Sequence, residues 1–172
     1  MVATQKGVHV RTRTEQIAAI RADQHFWRDL AAEVGPDRYA EPGPMGDWSF
    51  GDMAGHLLGW RNRTIARLDA AGRGEAEPPA PWPAELEDDD RVNDWIRNQD
   101  AGRSAAELVA DYDTSYDRLI SALEPIPDAF LIDPDRLPWL GAALVDVDFT
   151  GHLHDEHVPS VRAWLVAQPK QP

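Results

Sequence analysis

Apolar residues recur at three- and four-residue steps in four long stretches of this chain, and three of those stretches open on the same polar signature. Thr12 and Glu15 stand three apart, ahead of Ile17, Ile20, Trp27, Ala31 and Val34. In that spacing the hydroxyl accepts from the third helical N–H while the carboxylate reaches back to the cap's own N–H. A helix is therefore expected from Thr12 to Gly35-Pro36, where both residues break it. Ser49 with Asp52 repeats the signature ahead of Met53, Ala54, Leu57, Ile65 and Leu68, predicting a second helix to about Ala71. Ser104 with Glu107 gives a third, which carries Leu108, Tyr112, Leu119 and Leu123 on one stripe and is closed by Pro125 and Pro127. The last helix is expected to begin between Gly141 and Asp146. At about 100° per residue it places Leu153, His157, Val161 and Trp164 on one face, and Pro159 should kink it.

The connections differ in kind. Pro42, Gly43, Pro44 and Gly46 read as a loop. Gly74 to Asp90 is too proline-rich for regular structure and too long to be incidental, and Trp82 between two prolines predicts a loop that docks. A short helix with Val92, Trp95 and Ile96 follows it. Four amphipathic helices without alternating strands or repeats predict an all-α four-helix bundle over residues 1–172, with 1–11 as a frayed tail. Gly51, Gly55 and Gly59 recur every four residues in the second helix, where each costs about 1 kcal/mol against alanine, so a close neighbour is expected there.

Composition narrows the function classes. A net charge of −13 repels a nucleic-acid backbone. No apolar run approaches the roughly 20 residues of a membrane span, and the first residues lack the apolar core of a signal peptide, so a cytoplasmic protein is expected. The absence of cysteine excludes thiolate ligands and a cysteine nucleophile, so thiol chemistry would need an external sulfur.

The chemistry concentrates in Phe149–Leu165, where three of six histidines fall within six residues. Helix phase turns His154 and His157 inward as an i, i+3 pair and His152 outward. Buried imidazoles need partners: a divalent metal is one solution, a carboxylate or carbonyl for each ring the other. His56 sits on the polar border of the second helix, sharing a face with Asp52, Trp60 and Arg63, whereas His25, near the edge of the first helix's apolar face, reads as a locally satisfied or exposed residue. Side chains on facing helices converge inside a bundle, so His56, His154 and His157 form a candidate set of three nitrogen ligands. Such a set leaves a position open for water or substrate, as catalytic metal sites do. Arg63 is a candidate for a substrate carboxylate, with Trp60 beside it, and Asp52 or Glu156 for orienting a ligand histidine.

The segments D-W-S-F-G-D-M-A-G-H-L-L-G-W and G-H-L-H-D-E-H-V-P-S-V-R-A-W-L resemble those of the DinB/YfiT-like superfamily, and within it the mycothiol-dependent maleylpyruvate isomerases and DfsB-type bundle proteins. The resemblance spans Thr12 to Leu165. It implies a four-helix bundle, frequent homodimers, and zinc or nickel held by three histidines, one at His56 and the others within His152 to His157. The fourth-helix pair of the family is usually spaced i, i+4, a spacing this chain lacks. The function implied is activation of a low-molecular-weight thiol such as mycothiol for isomerisation of, or S-transfer to, an electrophilic small molecule. A metal-dependent hydrolase in detoxification or self-protection, and a non-catalytic dimeric ligand-binding scaffold, stand as alternatives.

Overall fold

The computed structural model describes residues 12–167, so the N-terminal tail read from the sequence lies outside them. The chain is mostly helical. Helix α1 spans Arg13–Val34, α2 Phe50–Gly72, α3 Asp89–Gln99, α4 Ala105–Leu123, α5 Asp128–Leu131 and α6 Val158–Ala167. All three predicted capping boxes form: Thr12 with Glu15, Ser49 with Asp52 and Ser104 with Glu107. Each satisfies two backbone donors that a helix start otherwise leaves to water.

Helices α2 and α4 make the most extensive pairing, α1 packs against α4, and α3 packs against α2. The apolar stripes read from the sequence meet in one core. Trp27 of α1 stacks on Phe50 of α2 at 5.0 Å and meets Tyr112 of α4 edge-on at 4.6 Å. Leu30, Phe50, Met53, Leu68 and Leu119 are fully buried. Each such side chain contributes roughly 1.5–3 kcal/mol by leaving water. The α2 glycines are explained by this packing. A Cβ on Gly51 would collide with Ala105 of α4, and one on Gly59 would lie 2.7 Å from Ile96 of α3.

Two elements depart from the sequence reading. Pro42–Met45 and Trp48–Ser49 form a small antiparallel hairpin, β1 and β2, where a loop was expected. Its prolines disguise it, being tolerated in so short an edge strand. Gly43, at φ 136°, lies directly against the Trp164 indole, and Arg38 covers that ring at 4.1 Å. The last helical segment begins at Gly151, later than expected, with only a single 3₁₀ turn at Leu144–Asp146. Asp148 sets the start: one carboxylate oxygen accepts from the N–H groups of Thr150 and Gly151 at 2.9 and 3.0 Å.

Candidate metal centre

His56 occupies the second turn of α2, and its ring is 3% exposed. Opposite it the C-terminal segment abandons α geometry. Leu153–His157 is a π-helical turn in which the N–H of Val158 bonds the carbonyl of Leu153, five residues back. Residues five apart lie about 140° apart around an α-helix, but a turn closed by i→i+5 bonds brings them to one side. Pro159 makes the wider turn inexpensive. It has no N–H to return to Asp155, and its ring would crowd that carbonyl in a regular helix. The kink expected from this proline is thus taken up as a change of helical register.

The consequence is a candidate set different from the one expected. His157 is buried, as its phase predicts, but its companion is His152, with His154 turned elsewhere. Nε2 of His152 lies 3.0 Å from Nε2 of His56 and 3.1 Å from Nε2 of His157. All three donor atoms lie within 4.8 Å of one another. Tetrahedral coordination at Zn–N of roughly 2.0–2.1 Å separates ligand nitrogens by about 3.3 Å, so the arrangement fits a metal with little movement. His154 instead pairs with the buried carboxylate of Asp23, which also accepts from Tyr116 Oη at 2.6 Å, and its ring rests on Phe26 at 4.6 Å. The locally satisfied alternative weighed for these histidines therefore applies to His154.

Electrostatics agree with the geometry. Burial, followed by the neighbouring His157 and His152, lowers the His56 pKa to about 3 against an opposing effect of Asn93. Burial and His152 lower that of His157 to about 4, opposed by Glu156. Both rings are therefore neutral near pH 7, the state in which imidazole ligates a metal. Glu156 lies 3.1 Å from Nδ1 of His152, a contact that leaves the Nε2 lone pair facing the other rings. Nδ1 of His56 is buried and makes no hydrogen bond.

The other residues singled out from the sequence are placed as follows. Trp60 and Arg63 line a cavity of about 810 Å³ that also contains His56 and His152 in its wall. Trp60 Nε1 donates to Asn93, and its ring meets Trp82 at 4.9 Å, so the proline-rich loop docks as expected. Arg63 is occupied elsewhere: it donates to the carbonyls of Pro78 and Pro79 at 2.5 and 2.8 Å and to Glu77 at 3.0 Å. Arg67 joins the same Glu77 oxygen at 2.6 Å. Asp52 touches no histidine. Burial pushes its carboxyl up, but Ser49 and Arg97, the latter at 3.2 Å, outweigh this and hold it below the usual range. Arg61, also on the cavity wall, was missed because an arginine facing the apolar side of a helix gives no periodic signal. His25 is exposed.

A mostly helical protein with three imidazoles converging at the wall of an aromatic-lined cavity is the class that fold and site define. The sequence signature of the mycothiol maleylpyruvate isomerase N-terminal domain matches residues 20–158, and the chain belongs to that family. Two curated relatives, the uncharacterized proteins MT0041 and Rv0036c of Mycobacterium tuberculosis, are each 32% identical over 128 residues. The match covers 73% of this chain and 45% of each relative, so the chain spans less than half the length of these proteins. No solved structure matches the chain significantly. Among the described residues no helix is long and apolar enough to cross a membrane.

Proposed function

We propose that this chain is the metal-binding part of an enzyme that activates a low-molecular-weight thiol, of the mycothiol kind, toward an electrophilic small molecule, giving isomerisation or S-transfer. The observation that carries the reading is the convergence of Nε2 of His56, His152 and His157, with two of the rings held neutral. These residues would hold a divalent zinc or nickel ion. When bound, such an ion lowers the pKa of a thiol or water in its open position, so that the deprotonated nucleophile is present near neutral pH. The protein supplies the rest. Glu156 fixes the tautomer of His152, and burial keeps His56 and His157 unprotonated. Trp60, Trp139 and Phe149 give the electrophile an apolar wall in the cavity that contains His56 and His152. Arg63, with Arg67, fastens the loop that completes this wall. The helices α1, α2 and α4 with the segment 151–167 are read as the four-helix bundle expected of this superfamily.

Elemental mass spectrometry on the untagged protein, together with turnover assays with and without added thiol, tests the proposal. Near-stoichiometric metal is expected in the wild type and in His154→Ala, and loss of it in His56→Ala, His152→Ala and His157→Ala. Turnover should require both metal and thiol. Metal-dependent turnover without thiol would establish the hydrolase reading instead, and a wild type that takes up neither zinc nor nickel would end the metal-dependent reading.

A further inference from the structure

The cavity wall contains a buried cation that forms no ion pair among the described residues. Arg61 is 7% exposed and stands on α2 five residues past His56. Its Nη2 donates to the Tyr112 hydroxyl at 2.7 Å and its Nη1 to Ser115 Oγ at 3.1 Å. The guanidinium carbon lies 3.9 Å from the Tyr116 ring centre and 4.2 Å from that of Tyr112. These partners are neutral hydroxyls and ring faces, and among the described residues no carboxylate lies within 4.0 Å of the guanidinium. The buried acid nearest in the network, Asp23, accepts from Tyr116 and pairs with His154. The neighbouring arginines differ: Arg63 and Arg67 each form an ion pair with Glu77.

A guanidinium keeps its proton at any physiological pH, and a buried charge is costly unless it is paired. Two hydroxyls engage two of its five N–H donors, leaving donors in the planar fork that matches a carboxylate. Arg61 shares its cavity with His56 and His152 and with the aromatic faces of Trp60, Trp139 and Phe149. We propose that Arg61 is the specificity-determining anchor of this cavity, binding a carboxylate of the molecule that reacts at the three-histidine centre. The ligand is then a small organic acid whose remaining, apolar or unsaturated part lies along the aromatic wall. This rests on reading the cavity as the substrate site, and it moves the carboxylate-binding role from Arg63 to Arg61.

The test is made on EDTA-treated full-length protein, with binding followed by tryptophan fluorescence and calorimetry. Cinnamate and cinnamamide serve as probes, being alike in shape and different in charge. The wild type should bind cinnamate about tenfold or more tightly than the amide, the effect of a charge-assisted hydrogen bond. Arg61→Met should remove this preference while keeping amide affinity, Arg61→Lys should keep part of it, and Arg63→Met, which loosens the loop, should shift both affinities together and leave their ratio in place. Equal affinity for acid and amide in the wild type, no cinnamate binding at millimolar concentration, or a preference that survives in Arg61→Met would each overturn the proposal. Should Arg61→Met not fold, the wild-type comparison and Arg61→Lys decide it. Because metal is removed, a failure of the metal reading shows in the elemental analysis and leaves this result unaffected.

Discussion

Acidifying the metal-free protein should destabilise it by an amount the histidine centre sets. In the unfolded chain His56 and His157 titrate near 6.5, whereas the fold lowers them to about 3 and about 4. Below pH 6.5 the unfolded state therefore binds protons that the native state refuses, and stability falls with pH until the native values are reached. At pH 5 an unfolded imidazole is mostly protonated, which favours unfolding by about 2 kcal/mol per ring, or about 4 kcal/mol for both, relative to pH 7.5. With a urea dependence of about 1–3 kcal/mol/M for a small protein, the unfolding midpoint should drop by roughly 1–4 M. Urea titrations at pH 7.5, 6 and 5 in EDTA measure this directly. His56→Leu, which replaces the buried ring with an apolar side chain, should show about half the wild-type loss between pH 7.5 and 5. Equal midpoints across this range, or an unchanged loss in His56→Leu, would refute the account of these rings as neutral by burial and mutual repulsion.

Three further substitutions probe the surroundings. Glu156→Gln should weaken metal affinity by roughly 10–100-fold in competition with a chelating dye, since it removes the charged partner of His152. Pro159→Ala gives the Asp155 carbonyl an N–H again, so the segment can return to α register. Metal affinity should fall while the thermal midpoint of the metal-free protein holds or rises. Gly59→Ala places a methyl against Ile96 and should cost about 1–3 kcal/mol in chemical denaturation. In an Ile96→Ala background, which removes the side-chain atoms nearest that methyl, the same Gly59→Ala change should cost markedly less.

What could be read from the sequence follows from which interactions are local. Capping boxes and apolar stripes depend on residues three and four apart, and the bounds of α1, α2 and α4 came close to those expected. His56 and the burial of His157 followed from the same phases. The expectation that His154 rather than His152 would lie beside His157 differs from the structure because it assumed 100° per residue throughout. The signal against it was present: two histidines five apart, with a proline two residues beyond, suit a π-turn better than an α-helix. The pairing of His154 with Asp23 joins residues 131 apart, and no local rule announces it. The hairpin and the surroundings of Arg61 were likewise hidden, the first behind its prolines and the second because the absence of a paired carboxylate among the described residues is visible only in three dimensions.

The loop between α2 and α3 is held to the helices by Glu77 with two arginines, by Arg63 on the Pro78 and Pro79 carbonyls and by Trp82 on Trp60, and it contributes Trp82 and Ala80 to the cavity. The three imidazoles come from helical segments outside it. Part of the cavity wall is therefore encoded apart from the imidazoles. Variation in a surface segment that tolerates length and sequence change can reshape what enters without disturbing the donors. Exchanging residues 74–88 between related proteins with the same histidines should then change the shape the cavity admits while leaving Arg61 and the imidazoles in place.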